Sequence, residues 1–352
     1  ATRLRPLTCN IPKAIVPVLN VPFLEHVIRH LGRHQIRDIV LAQGHLAGPI
    51  QDYLGDGSQF GCNLYYSVED APRGTAGAVK NAEKYMDGPS LVLNGDIFAD
   101  LDITAMIKLH RERKSKMTIS LTPVEDPTAY GLIETDDQGR ITRFLEKPSW
   151  DEVTTNMINA GTYVLEPDVL ARIAPQTQVS FEREVFPQLL ERGEPLYAFS
   201  SSAYWIDMGT PEKYLEIHRD LLGGKSRQYA LAPGEEVRIG ADSDIHPTAR
   251  IQGPILIGAN CHIERQVQII GPVVIGDGCT ILEESVIEDS VIWQNARLGP
   301  RVNLKSSIVA DNCCFNEESI AEDAVLGDNV TVIGGCELEP GSRIWPGETV
   351  GA

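Results

Sequence analysis

Nine isoleucines, Ile239, Ile245, Ile251, Ile257, Ile263, Ile269, Ile275, Ile281 and Ile287, recur at every sixth residue. No helical face repeats at six, because a helix groups residues three, four and seven apart. A period of six held this long specifies a chain wound into a β-helix of hexapeptide repeats. Four positions after each isoleucine stand Ser243, Ala249, Ile255, Cys261, Val267, Val273, Cys279, Ser285 and Val291, all small or apolar. The period slips after Ile287 and resumes at Leu298 and Leu304. It slips once more and resumes at Ile320, Leu326, Val332, Leu338 and Ile344.

Upstream the pattern is different. Leu24, Val27, Ile28 and Leu31 lie at helical spacing, so an amphipathic helix is expected there. His26, His30 and His34 share another of its faces; with no carboxylate or Cys on that stripe, they read as a solvated face. Asp38–Ala42, Leu64–Val68 and Ser90–Asp96 read as strands, and a second helix falls near Pro49–Leu54. Strand–helix alternation predicts an α/β fold with a parallel sheet. Lys116–Pro123 is a further strand. Tyr130–Glu134 and Arg140–Phe144 flank Asp136–Gly139 as a hairpin. Ser180 suits the N-cap of a helix, with Glu182 and Glu184 beside its positive end. Gly223–Gly234 has linker composition. The expected domains are therefore 1–222, a linker 223–236, and the repeat at 237–352.

Three places carry candidate chemistry. Arg3, Arg5 and Lys13 sit in a run broken by Pro6, Pro12 and Pro17, which excludes a helix interior or central strand and suits a rigid loop for an anionic ligand. Gly74-Thr-Ala-Gly-Ala78 follows a strand and opens a helix, where small residues let a ligand approach the backbone. Asp96 ends a buried strand, a position that suits Mg²⁺ held by one or two carboxylates and substrate phosphates. The formal net charge of −18 argues against nucleic-acid and anionic-membrane partners. A phosphate-bearing substrate therefore needs local cations or a metal. No apolar run reaches the length of a membrane span. The seven Cys lack disulfide-framework spacing and any CxxC, which points to a reduced, cytoplasmic setting and away from zinc.

The opening run, with Thr2-Arg3-Leu4, Pro6-Leu7-Thr8, Pro12-Lys13 and Pro17-Val18, resembles the N-terminal fingerprint of the sugar-1-phosphate nucleotidyltransferases. Four later runs resemble that family in the same order: Glu69–Ala78, Asn94-Gly-Asp96, Phe144-Leu-Glu-Lys-Pro148 with Asn159-Ala-Gly-Thr-Tyr163, and Trp205-Ile-Asp-Met-Gly-Thr-Pro211. The resemblance implies a Rossmann-like α/β nucleotidyltransferase domain that joins an NTP to a sugar 1-phosphate and releases pyrophosphate. By the same resemblance, Asp96 and Asp207 hold Mg²⁺, and Arg3 and Lys13 serve the leaving pyrophosphate. Lys147 serves the sugar phosphate, Glu146 and Asn159 the sugar, and Gly74 and Thr75 the base, while Gly131 and Gly161 complete the substrate-binding set. Arg73 departs from the family's Leu. The motifs look most like mannose-1-phosphate guanylyltransferases, with glucose-1-phosphate thymidylyl- or uridylyltransferases as the alternative. The family pattern starts with a strand and a glycine-rich turn ahead of this point, and Ala1 stands where it has Gly. The sequence is therefore expected to be short of its start; true loss of that strand would make a non-catalytic regulatory subunit.

The repeat resembles a left-handed β-helix, in which three hexapeptides make one triangular coil. Cys261 and Cys279 then stack as small core residues. In this family such a domain commonly mediates self-association, so a homo-oligomer through 237–352 is expected. Trp293 and Trp345 are its candidate interface anchors or end plugs. Hexapeptide domains also occur as acyltransferases; His246 and His262 are the candidate bases here, but no long loop interrupts the repeat to form an acceptor pocket.

Overall fold

A computed structural model of the chain describes residues 2–44, 47–229 and 236–351. Ala1, on which the reading of a shortened start rests, lies outside these, as do residues 230–235 of the expected linker and the final Ala352. The chain forms two compact units, Val27–Trp205 and Ala1–His26 with Ile206–Ala352.

In the second of these units the six-residue period becomes a parallel solenoid whose three faces carry seven, seven and six short rungs. Ile257, Ile275, Ile292, Val309 and Leu326 stack on the inside of one face, all fully buried. Val237, Ile255 and Val273 are in register at eighteen-residue steps. From Val274 the step to Val291, and then to Ile308 and Val325, is seventeen. The shortening falls at one corner. Gly253 and the Gly271–Pro272 turn give way there to tighter turns in which Asp289, Ser306 and Asp323 take left-handed backbone at φ 47, 46 and 51°. This accounts for the slips in the period, and it corrects one residue. Ala321 points inward and Ile320 is 37% exposed, because the shorter corner shifts the inward position by one. Cys261 and Cys279 are buried in successive coils, and every cysteine among the described residues is a free thiol. Burial pushes the Cys279 thiol up to about 12.

The same unit contains the N-terminal segment. Short strands β1 (Pro17–Val18) and β2 (Val21–Pro22) form a hairpin whose turn residues Leu19 and Asn20 both have positive φ. Helix α1 (Phe23–Arg33) follows and runs on into the other unit.

The 27–205 unit alternates β3 (Asp38–Gln43), α2 (Ala47–Leu54), β4 (Asn63–Val68), α3 (Gly74–Asn81), β5 (Ser90–Leu93), β6 (Ile97–Ala99), α4 (Ile103–Arg113) and β7 (Met117–Pro123). The hairpin β8 (Gly131–Thr135) and β9 (Ile141–Glu146), then β10 (Met157–Leu165), α5 (Pro167–Ala171), α6 (Phe186–Glu191) and β11 (Leu196–Ser200) complete it. Its sheet is mixed, not the parallel one expected. β3 pairs β4 and β11 pairs β7 in parallel, while β10 runs antiparallel to β5, β7 and β8. β3 and β4 form a separate two-stranded sheet, and β5 has β10 as its partner. Leu91, Val92 and Leu93 of β5 are accordingly only half-buried. β7 reads as a continuous buried run because both its faces are covered. His30 corrects the expectation of a solvated histidine face: it is buried, with Nε2 2.9 Å from the Leu101 carbonyl. Among the described residues no helix is long and apolar enough to cross a membrane.

Helix α7 (Pro211–Leu222) belongs to the solenoid-bearing unit. Thr210 caps it, Oγ1 accepting from the Lys213 amide. Trp293, an expected interface anchor or end plug, is instead buried in this unit and donates through Nε1 to Tyr214 Oη of α7 at 2.8 Å.

Candidate active site

The expected site residues fall into two sets, one on each unit. In the unit of the N-terminal segment, prolines keep residues 2–16 out of regular helix and strand, leaving a loop with two short 3₁₀ turns. Arg3 Nη2 lies 3.9 Å from Asp207 Oδ2, and Lys13 Nζ lies 3.9 Å from Asp207 Oδ1. Asp207 is set by the short strand β12 (Trp205–Asp207), just ahead of the capped α7. The Lys13 side chain is only 14% exposed and Arg3 is 69% exposed. Two cations on one carboxylate leave a net positive charge, and the exposed guanidinium is the part of it that an anion in solution can reach.

The 27–205 unit holds the other set on the strand ends and turns around β10. The register of β10 against β7 slips between Asn159 and Tyr163: four residues on β10 span the two from Leu121 to Ile119. This bulge contains Gly161, at φ +72°. A Cβ there would meet Ile97 Cδ1 at 2.3 Å and Asn94 Nδ2 at 2.8 Å, so only glycine lets the Asn94–Asp96 turn close over the bulge. Asn94 N donates to the Gly161 carbonyl at 2.8 Å, and Asp96 follows on the same turn, half-buried. Asn159 Oδ1 accepts from Gly161 N at 2.9 Å and its Nδ2 donates to Tyr163 Oη at 2.8 Å.

From Tyr163 the network passes to a carboxylate that the sequence reading placed only at a helix end. Tyr163 Oη donates to Glu182 Oε1 at 3.2 Å, and Glu182 Oε2 accepts from Thr75 Oγ1 at 2.8 Å and Ser180 Oγ at 2.6 Å. Phe181 N donates to Thr75 Oγ1 at 2.9 Å. The expected cap is present, with Ser180 Oγ accepting from Arg183 N, over a single π-turn at Phe181–Val185. Such a turn often marks a functional site, and here it places Glu182 against Thr75. Gly74, at φ +73°, has the Val179 carbonyl 2.6 Å from where its Cβ would be, which seats the start of α3 on this segment. The Tyr163 hydroxyl is pushed well above its ordinary range, by burial first and by the Glu182 carboxylate next. It therefore stays protonated and donates.

Glu146 ends β9 opposite Gly131. Loss of surrounding water raises its carboxyl, the Glu182 charge adds to this, and Lys147 and Arg183 oppose it. Lys147 leaves the strand in left-handed backbone, φ +50°, with its amide donating to the Tyr130 carbonyl at 2.9 Å and its side chain exposed. Within this unit the fold thus links Thr75, Asn159 and Gly161 through Glu182, Tyr163 and Asn94, with Glu146 in the field of Glu182 and Lys147 next to it in the chain. Glu182 was visible only beside the Ser180 cap, and Tyr163 only as the end of the Asn159–Tyr163 run. Nothing local in the sequence marks them as partners. The two solenoid histidines expected as possible bases are surface groups, His246 against Thr248 Oγ1 and His262 within 3.2 Å of Asp244. The repeats around them are joined by tight corners.

The family described as Nucleotidyl transferase matches residues 1–224, and the family described as GMPPB C-terminal domain matches residues 251–350. A UTP--glucose-1-phosphate uridylyltransferase of a Synechocystis species is 35% identical over 88% of this chain and 84% of its own length. A mannose-1-phosphate guanylyltransferase of Mycobacterium tuberculosis is 34% identical over 72% of this chain and 76% of its own. Among solved structures, HddC from Yersinia pseudotuberculosis superposes with a TM-score of 0.54 at 30% identity, covering 61% of this chain and 92% of HddC.

Proposed function

Because the chain belongs to the Nucleotidyl transferase family, and its relatives are sugar-1-phosphate nucleotidyltransferases, we propose that it makes GDP-mannose from GTP and mannose 1-phosphate. The coarser activity is that of the family, formation of an NDP-sugar from an NTP and a sugar 1-phosphate. The observation that carries the finer reading is the pairing of the two family matches, a nucleotidyltransferase region followed by a GMPPB C-terminal domain. The reaction is an in-line displacement. A sugar-phosphate oxygen forms a bond to the α-phosphorus while the bond to the β-phosphate oxygen breaks and pyrophosphate leaves. Little covalent work falls to the protein, so orientation and charge placement carry the rate.

In this reading Arg3 and Lys13 neutralise the leaving pyrophosphate, and Lys147 holds the sugar phosphate. Thr75 and the amides around Gly74 face the base. Asn159 and Glu146 take sugar hydroxyls, with Glu182 fixing Thr75 and Tyr163. Asp96 and Asp207 are hard oxygen donors and suit Mg²⁺. Substrate phosphates would supply further oxygen ligands. Mg²⁺, when bound, supplies positive charge to the phosphate oxygens. A second expectation joins this reading: self-association through the solenoid, with Trp345, 46% exposed, on the contact. Light scattering on the full chain and on Trp345→Ser tests it; a monomer in both ends that expectation.

The function is tested by pyrophosphate release from GTP, UTP and dTTP, each with mannose 1-phosphate and glucose 1-phosphate. The highest kcat/KM is expected for GTP with mannose 1-phosphate. A preference for UTP with glucose 1-phosphate, the pair in the name of the Synechocystis relative, would replace it.

A further inference from the structure

Outward positions on one solenoid face are mostly polar, as in the column Asp244, His262, Thr280, Arg297, Cys314, Thr331 and Thr349. Another face breaks that pattern. Leu256, Val274, Val291, Ile308 and Val325 stack outward on it, and the last four are buried. Helix α7 packs on the rung at Val273–Ile275, and the N-terminal segment lies along the same face. The aliphatic column ends at Arg343, which is in register with Val325. Its Nη1 lies 3.4 Å from the carbonyl oxygens of both Arg3 and Arg5, and its Nη2 lies 3.6 Å from Glu212 Oε1.

Three further anchors lie along this face. Asn10 Nδ2 donates to Asp328 Oδ2 at 3.2 Å, and Asn20 Nδ2 donates to the Ile275 carbonyl at 2.8 Å. Trp293 Nε1 donates to Tyr214 Oη, whose own hydrogen goes to the Pro17 carbonyl. The solenoid and helix α7 therefore hold the cation-bearing segment at the backbone of residues 3, 5 and 17 and at the side chains of Asn10 and Asn20. A proline-broken loop makes few ladder hydrogen bonds of its own. An exposed arginine on such a loop needs an external brace to keep one geometry.

We propose that the solenoid positions the NTP-binding cations and that Arg343 is a positioning residue acting through Arg3. The proposal rests on the reading that Arg3 serves the NTP phosphates. Full-length protein with Arg343→Ala, Arg3→Ala, both together, and Arg301→Ala as a solenoid-surface control is assayed, each substrate being varied at saturating levels of the other. Arg343→Ala is expected to lower kcat/KM for NTP roughly three- to tenfold. The KM for sugar 1-phosphate should stay within about twofold, and Arg343→Lys should restore part of the loss. In the Arg3→Ala background Arg343→Ala should cost nothing further. Asn10→Ala, at a separate anchor, should give the same split between substrates, and Arg301→Ala should change neither substrate.

Unchanged NTP kinetics in Arg343→Ala while Arg3→Ala is impaired would overturn the proposal alone. An equal loss for both substrates, or a full additive loss on top of Arg3→Ala, would also overturn it and leave Arg343 a merely structural residue. Unchanged NTP kinetics in Arg3→Ala would overturn the role of Arg3 and the proposal with it.

Discussion

In the solenoid a residue's surroundings follow from its place in the coil: Ile257, Ile275, Ile292, Val309 and Leu326 share one environment because they share one register. In the 27–205 unit the opposite holds. Thr75 meets Glu182 across 107 residues of chain, and Asn159 reaches it only through Tyr163. The repeat makes a surface whose stability is spread over many equivalent contacts. The other unit concentrates polar groups at a bulge and a π-turn, where any one change alters the rest. Damage to the solenoid core and damage to the polar network of the 27–205 unit should therefore separate into lost stability and lost chemistry.

The largest effect is expected where charge meets phosphate. Asp96→Asn and Asp207→Asn should each lower pyrophosphate release by on the order of 10²–10³, with the thermal midpoint unchanged. Near-normal turnover in either variant removes that carboxylate from the mechanism. The counterpart is Leu298→Ala in the solenoid core. A fully buried leucine replaced by alanine should cost about 2–5 kcal/mol, while kcat of the folded fraction holds. If kcat instead falls in step with stability, the two regions are not separable in this way.

The same contrast decides what the sequence could reveal. Register made the core isoleucines and the stacked Cys261 and Cys279 legible without any long-range contact. It misplaced Ile320 because a corner had lost one residue, and one missing residue moves the inward position. The aliphatic column from Leu256 to Val325 was in plain sight as outward residues that are not polar, the mark of a covered face. Trp293 belongs to that cover and not to an interface or an end. In the other unit, motif order nominated Thr75, Asn159, Glu146 and Lys147. Glu182 escaped because an acidic residue in the first turn of a helix is already explained by the dipole. The antiparallel course of β10 escaped too, since periodicity carries no strand direction.

A smaller effect sharpens the division inside the site itself. Lys147 is exposed and takes no part in the Thr75–Glu182 hydrogen bond, so its removal should leave the fold and the base contacts alone. Lys147→Ala is expected to raise KM for sugar 1-phosphate about tenfold, with little change for NTP. An effect confined to NTP would assign Lys147 to the other substrate.

The smallest net effect is expected from one opposed pair of buried groups in the solenoid-bearing unit as the pH falls. Burial lowers His218 from its usual 6.5 to about 4; the bond between Nδ1 and the Tyr214 carbonyl opposes this, and the His26 charge adds to the lowering. The unfolded chain takes up that proton more readily than the fold does. The stability from neutral His218 is therefore complete above pH 6.5 and is lost as the pH falls towards 4. Burial raises Asp311 from 3.8 to about 6, and the neighbouring Asp328 carboxylate adds to it, while the Gln294 amide bonding Oδ1 opposes it. The fold holds that proton more tightly, so its contribution is complete below pH 3.8 and is lost as the pH rises through 6. Each swing is roughly 3 kcal/mol and the signs are opposite, so their sum between pH 4 and 6 should be nearly flat. Asp311→Asn keeps an acceptor for the Gln294 amide and removes one side of the balance. Its thermal midpoint should rise relative to the parent at pH 7 and then fall more steeply on acidification. A parallel pair of midpoint curves from pH 7 to pH 4 would show that Asp311 does not change its charge over that range in the fold.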